Sequence, residues 1–317
     1  MTSRTILVYH PEMGAEPVAA TYGRLVERPR SVELATCWTP EAAEAAIGGA
    51  EILFAWNFPA RLLARAPRLR WIQSMGAGVE RFIVPELPPG VTLTRAAGVF
   101  GPWMAEYTIG WCLWVTQRIR LFESQQRERR WAPVDPQALR GRTLCIVGLG
   151  DIGRHIARAA RGLGMRVIGV TRRGQPVAGA SRIYRPRSIR TALAAADFAV
   201  LTVPLHAETR SLIGEAELAV MKPSAWLINM ARGPVVDEAA LLSALRGHRI
   251  GGAVLDVFDT EPLPADHPLW QLDNVAITPH IAGPSTPPEI APIFNDNLRR
   301  YLAGRRLRHV VDPARGY

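Results

Sequence analysis

At 317 residues, with 48% hydrophobic and 21% charged positions, the chain is long enough for two cores and has the composition of a folded globular protein, which excludes long disordered tracts. A net charge of +10 raises nucleic-acid binding, but Lys222 is the only lysine and the arginines are scattered. The short groups Arg127, Arg129, Arg130 and Arg299, Arg300, Arg305, Arg306 read as helix ends or solvated faces, so a small anionic substrate and a phosphorylated cofactor are expected rather than nucleic acid.

From the N-terminus, the β-rich runs TILVYH, VELATCW, EILFAW, RLRWIQS and VTLTRAAG alternate with helical stretches such as PEAAEAAIGG and PARLLARAP. This alternation predicts βαβ units and a parallel sheet. A helical pattern then runs from about residue 102 to 130, long enough to bridge two domains or to form a dimer contact. The start of the chain has no apolar stretch fit for a signal peptide, and Ile109 to Thr116 is too short to span a bilayer. A cytoplasmic location with no membrane partner is expected. Cys37, Cys112 and Cys145 lack CxxC spacing and lie in apolar surroundings, so they read as buried small hydrophobes and no metal site is expected.

A second series follows: TLCIVGLG, RVIGVT, FAVLTV, WLINMA, GGAVLDVF and NVAITPH, with helices predicted at Ile152 to Leu163, Ser188 to Ala195 and Asp237 to Leu245. The last segment, PPEIAPIFNDNLRRYLAG, is one amphipathic helix with a stop at Gly304. It follows a complete second sheet and is expected to return to the first domain. The expected fold class is α/β, with two Rossmann-like domains built on parallel sheets. Residues 1–101 with 286–317 would form a discontinuous, flavodoxin-like substrate domain closed by the C-terminal helix, and residues 102–285 a dinucleotide-binding domain.

The run Leu144 to Val147 leads directly into GLGDIG: Gly148, Leu149, Gly150, Asp151, Ile152 and Gly153. Gly148 permits a tight turn, Gly150 lets the backbone approach a pyrophosphate, and Gly153 lets the helix pack closely on its strand. The helix N-terminus offers unpaired N–H groups to the phosphates. About twenty residues on, an NAD site would place a carboxylate on the ribose hydroxyls. Here the strand ends in Thr171, Arg172 and Arg173, a hydroxyl and two guanidinium groups suited to a 2′-phosphate, so NADPH is expected in preference to NADH.

Three motifs then close predicted strands: NMARG (229–233), LDVFDTEP (255–262) and TPHIAG (278–283). Active sites of open α/β sheets gather at such carboxyl ends. A 2-oxo acid offers a carboxylate and a ketone, and the fork of Arg232 can hold the first and polarise the second. Hydride arriving at the carbonyl carbon leaves charge on oxygen that calls for a proton donor, a task suited to His280. Glu261 is the carboxylate that would orient the imidazole and favour its protonated form.

In this order, behind a dinucleotide fingerprint, the motifs resemble the D-isomer-specific 2-hydroxyacid dehydrogenases, most of all the short NADPH-dependent glyoxylate and hydroxypyruvate reductases. The resemblance covers nearly the whole chain, from the Ser74 to Gly78 loop to the PLW segment at Pro268 to Trp270. It implies reduction of a small 2-oxo acid to the D-2-hydroxy acid with Arg232, Glu261 and His280 as the catalytic set. It implies a substrate loop in which N–H groups near Met75, Gly76 and Gly78 bind the carboxylate, with Trp56 beside the substrate. It also implies that Asp256 and the carbonyl of Ala231 hold the nicotinamide carboxamide, with Met230 and Gly283 beside the cofactor, and that Val203, Pro204 and Thr209 border its adenosine half. A homodimer is implied, with the helix near 102–130 at its interface.

Other activities share this architecture. Trp56, Trp103 and Met104 would line the pocket of a reductase for bulkier acids such as phenylpyruvate. Formate and phosphite lack a ketone, and the Arg, Glu, His order disfavours formate more than phosphite. A dinucleotide-sensing interaction protein would be expected to carry extra tails, of which the sequence has no evident trace.

Overall fold

The computed structural model describes residues 4–11 and 17–313. Residues 1–3, 12–16 and 314–317, which include both outer ends of the expected substrate domain, lie outside the described residues. The described residues fall into two units, one within Met1–Val99 and Ser285–Tyr317 and the other within Phe100–Pro284.

The first unit opens with β1 (Arg4–Tyr9), α1 (Val18–Leu25), β2 (Val32–Cys37), α2 (Pro40–Ile47), β3 (Ile52–Ala55), α3 (Ala60–Leu63), β4 (Trp71–Ser74) and β5 (Thr92–Thr94). All neighbouring strands are parallel, in the order β2-β1-β3-β4-β5. Strands β3 and β4 are buried at every residue because helices cover both faces of a parallel sheet. On one face Leu7, Leu53 and Ile72 pack with Ile47, Leu62 and Leu63. The order reverses direction at β1 and β3, and a crevice opens beyond the carboxyl ends of strands at such a reversal. His10 follows β1 there and Trp56 follows β3.

The second unit runs through α4 (Phe100–Thr116), α5 (Ile119–Arg127), β6 (Thr143–Val147), α6 (Asp151–Gly162), β7 (Arg166–Val170), β8 (Arg182–Tyr184), α7 (Ile189–Ala195), β9 (Phe198–Leu201), α8 (Glu215–Ala219), β10 (Trp226–Asn229), α9 (Glu238–Arg246), β11 (Gly252–Leu255) and β12 (Val275–Ile277). Its seven parallel strands take the order β12-β11-β10-β9-β6-β7-β8, with the reversal between β6 and β9. Strand β6 is buried along its length and delivers the glycine turn to that reversal.

The single helix expected over 102–130 is two helices. Arg118, at φ 53°, sits in the left-handed region and separates α4 from α5. The break is fixed from outside the helix: Gln137 N–H donates to the Thr116 carbonyl, and the side chains of Gln117 and Arg118 donate to the carbonyls of Gln137 and Asp135. Terminal helix carbonyls need such partners, and the 135–137 segment supplies them.

The chain re-enters the first unit as α10 (Pro287–Leu302). Pro287 and Pro288 occupy its first turn, where no N–H is needed for the helix ladder. Phe294 stacks on Phe54 at 4.2 Å and on Trp71 at 5.2 Å. Buried Asn297 donates to Gln73 Oε1 and to the Arg308 carbonyl and accepts from Arg308 N–H, tying the helix to β4.

Candidate active site

The glycine turn has the shape its spacing predicts. Gly148 has φ 107°, and a Cβ there would lie 2.9 Å from the carbonyl carbon of Thr202. A Cβ on Gly153 would lie 2.2 Å from the Gly148 carbonyl oxygen, so only glycine lets α6 start this close to β6. Gly150 faces open space and is the N-cap of α6 without a side-chain capping bond. Asp151 and Ile152 begin the helix, and buried Leu149 packs over Gly169. Thr202 Oγ1 donates to the Gly148 carbonyl at 2.5 Å and holds the turn from the neighbouring strand. The open approach at Gly150 and the uncapped helix start fit a dinucleotide pyrophosphate.

Beyond β7, Thr171 N–H donates to the Tyr184 carbonyl, and Gly174 N–H donates to Thr171 Oγ1 at 3.1 Å. Residues 171–174 thus form a closed turn with Arg172 and Arg173 exposed. After β9, the buried Thr209 hydroxyl donates to the Pro204 carbonyl at 2.6 Å and accepts from His206 N–H, which fixes the loop beginning at Val203.

The three catalytic candidates come together at the carboxyl ends of β10, β11 and β12. Buried Asn229 accepts from Ala231 N–H and donates to the Arg232 carbonyl, folding the turn that presents Arg232. A Cβ on Gly233 would lie 2.0 Å from the carbonyl carbon of Phe258, so the Arg232 turn rests directly on the backbone leading to Glu261. Glu261 precedes a cis proline peptide and accepts from Phe258 N–H through Oε1 at 3.0 Å. Its Oε2 lies 2.8 Å from His280 Nδ1. Burial pushes the Glu261 carboxyl up, yet the bonds from His280 and Phe258 and the nearby His280 and Arg232 charges hold it below the usual range. An ionised carboxylate accepts, so the bond to Glu261 selects the form of the His280 ring that carries a proton on Nδ1 and leaves Nε2 outside that bond.

Asp256 organises the backbone around His280. Its carboxylate, buried at the end of β11, accepts from Thr278 Oγ1 at 2.6 Å, Ile281 N–H at 2.8 Å and Ala282 N–H at 2.9 Å. His280 N–H donates to the Asp256 carbonyl, and the residue adopts φ 55°. That left-handed conformation persists because the surrounding bonds over-determine it. Burial raises the Asp256 carboxyl above its usual range, against the opposing effect of Thr278, the two N–H donors and His280. Tyr107 on α4 hydrogen-bonds Thr278 Oγ1 at 2.7 Å, extending the network. The Ala231 carbonyl accepts from Arg232 Nη1 at 2.6 Å, and the Asp256 carboxylate accepts from three donors of the chain. Met230 is buried with Thr108 Oγ1 3.8 Å from its sulfur, and Gly283 lies against Met104 and Phe100. Of the residues considered for a bulkier pocket, Met104 is buried and Trp103 exposed.

In the first unit, Met75, Gly76 and Gly78 follow β4. Met75 N–H donates to the Ala55 carbonyl and Gly76 N–H to Ser74 Oγ, bonds that hold the start of this loop against β3 and β4. A Cβ on Gly76 would lie 2.4 Å from Trp56 Cζ3: the indole lies on the loop. His10, unremarked in the sequence, is buried and stacks on Trp56 at 6.4 Å, with its Nδ1 2.8 Å from the Pro11 carbonyl. Its position just after β1, at the strand-order reversal, was the available signal. Tyr107 and Thr202 carried no comparable signal, because each acts through a partner distant in sequence.

Residues 109–282 match the family model described as the NAD-binding domain of D-isomer specific 2-hydroxyacid dehydrogenases. A glyoxylate reductase of Thermofilum pendens is 38% identical over 232 residues, 70% of this chain and 68% of that one. Glyoxylate/hydroxypyruvate reductase A of Serratia proteamaculans is 30% identical over 319 residues, 98% and 99% of the two chains. Among solved structures, an NADPH-dependent glyoxylate/hydroxypyruvate reductase of Sinorhizobium meliloti, in complex with NADP and sulfate, superposes with a TM-score of 0.90 at 28% identity, covering 99% of this chain and 100% of that one. The chain belongs to the D-isomer specific 2-hydroxyacid dehydrogenase family, whose members are NAD(P)-dependent oxidoreductases.

Proposed function

We propose that the chain reduces a small 2-oxo acid of the glyoxylate or hydroxypyruvate type to its D-2-hydroxy acid, using NADPH in preference to NADH. The observation that carries this reading is the His280–Glu261 pair at 2.8 Å, beside the turn that presents Arg232. When bound, the nicotinamide group supplies the hydride. Arg232, anchored through Nη1 to the Ala231 carbonyl, binds the carboxylate and polarises the ketone. As charge grows on the carbonyl oxygen, His280 Nε2 gives up its proton to it, and hydride plus proton complete the alcohol. Glu261 fixes the tautomer and stabilises the imidazolium that this step consumes.

The turn at Thr171 to Gly174 supports a phosphorylated cofactor, since it offers a hydroxyl and two guanidinium groups and no carboxylate. The named activities of the Thermofilum, Serratia and Sinorhizobium proteins support the substrate class. A second copy of the chain is proposed to cover the apolar side of α4 and α5, where Trp103, Leu113, Ile119 and Phe122 are exposed. Initial rates with glyoxylate, hydroxypyruvate, pyruvate and phenylpyruvate, each with NADPH and NADH, test the reading. Highest kcat/KM for one of the first two with NADPH is expected, and no turnover of any acid overturns it.

A further inference from the structure

Eleven positions beyond the turn at Gly174, a third arginine is brought back to it by strand register. Strands β7 and β8 run parallel with Val170 opposite Tyr184, and Thr171 N–H donates to the Tyr184 carbonyl at 3.0 Å. The chain therefore leaves β7 at Thr171 and β8 at Arg185 side by side, one strand spacing apart, about 4.8 Å. Pro186 follows, and Arg185 is extended at φ −89° and ψ 161°, the conformation that a following proline favours. A Cβ built on Gly174 would lie 2.7 Å from Arg185 Cγ and 2.9 Å from its Nε. The arginine stem thus lies across Gly174, and its guanidinium is delivered to the turn that carries Arg172 and Arg173. Gly174, at φ 66°, is the residue that leaves room for it. The neighbouring Arg182 is directed elsewhere, over the Tyr184 ring at 4.8 Å.

We infer that Arg185 is a specificity-determining residue for the cofactor's 2′-phosphate, an inference that rests on the proposed use of NADPH. The chemistry differs from that of its neighbours in one respect. Arg172 and Arg173 project from the turn itself, whereas Arg185 is held by a second strand and by its contact with Gly174. A guanidinium whose stem is already placed loses less rotamer freedom on binding, and its planar fork matches two oxygens of a phosphate. The exposed side chain is also accessible to an anion entering from solvent. A simple supporting role for the turn would affect both nicotinamide cofactors alike.

The test is direct binding in the absence of any 2-oxo acid. NADPH and NADH are titrated into the full chain by nicotinamide fluorescence, and adenosine 2′,5′-bisphosphate and 5′-AMP by calorimetry. Wild type is expected to favour the 2′-phosphorylated member of each pair; equal affinities would overturn the NADPH reading itself. Arg185→Gln is expected to weaken NADPH and the bisphosphate about ten- to a hundredfold, the range for a charge-assisted hydrogen bond, with NADH and 5′-AMP unchanged. Arg185→Lys, which keeps the charge without the fork, is expected to fall between. A wild-type preference left intact by Arg185→Gln, or a loss shared equally by all four ligands at an unchanged melting temperature, would overturn the role of Arg185 alone.

Discussion

Glu261 holds His280 and its own turn at once: Oε2 meets the imidazole Nδ1 at 2.8 Å while Oε1 accepts Phe258 N–H at 3.0 Å. The two residues are 19 positions apart, on the loops that follow β11 and β12. Each is partly exposed, with 28% and 37% of its side-chain surface accessible, so the contact is open to the site rather than sealed in the core.

Glu261→Gln keeps the shape and removes the carboxylate that selects the ring form of His280. The kcat for reduction is expected to fall by about one to two orders of magnitude with KM little changed. An unchanged kcat would show that the carboxylate does not position the proton donor. In the wild type, the Glu261 carboxyl is held below its usual range. Its stabilising contribution is fully present above the unfolded carboxyl's pKa and is lost as pH falls through the lower folded value. Glu261→Gln should therefore melt closest to wild type in strong acid, and a constant difference across that window would refute the coupling.

Arg232→Ala removes the proposed carboxylate fork. Steady-state kinetics should show a raised KM and a lowered kcat, with kcat/KM down about a hundredfold or more, the scale of losing charge-assisted bonds. Arg232→Lys should recover little, because a point charge does not reproduce a planar bidentate contact. Unchanged kinetics in either variant would remove Arg232 from the mechanism.

Thr278→Val deletes a hydroxyl that donates to buried Asp256 and bonds Tyr107. Losing these two bonds, one of them to a carboxylate that keeps its two N–H donors, costs about 1–3 kcal/mol, measurable by denaturant titration. The loop that holds His280 in its left-handed conformation should loosen, lowering kcat more than it changes KM. Tyr107→Phe, which cuts the network one step further out, should have a smaller effect in the same direction. Equal effects from both would argue against a chain running through Thr278.

Leu113→Glu places a charge on the exposed apolar side of α4. Wild type is expected to sediment at twice the mass of the chain and the variant at the mass of one chain. A wild type that sediments as a monomer at micromolar concentration would rule out the proposed dimer.

The glycine turn was legible because its constraints are local: Gly148 needs a positive φ and Gly153 a missing side chain, and both follow from the spacing after a buried strand. The order of Arg232, Glu261 and His280 at strand ends was legible for a related reason, since parallel strands bring successive carboxyl ends to one edge of the sheet. Where α4 stops was not, because the carbonyls at its end are satisfied by Gln137, a residue outside any helical period. The work of Asp256 was hidden likewise, its three donors lying 22 to 26 positions away. Arg185 reads in the sequence as one more scattered cation; parallel register with β7 sets it on Gly174. Covalent order and short-range sterics determine which chemical groups reach the strand ends, while hydrogen bonds and contacts made across strands decide how those groups point.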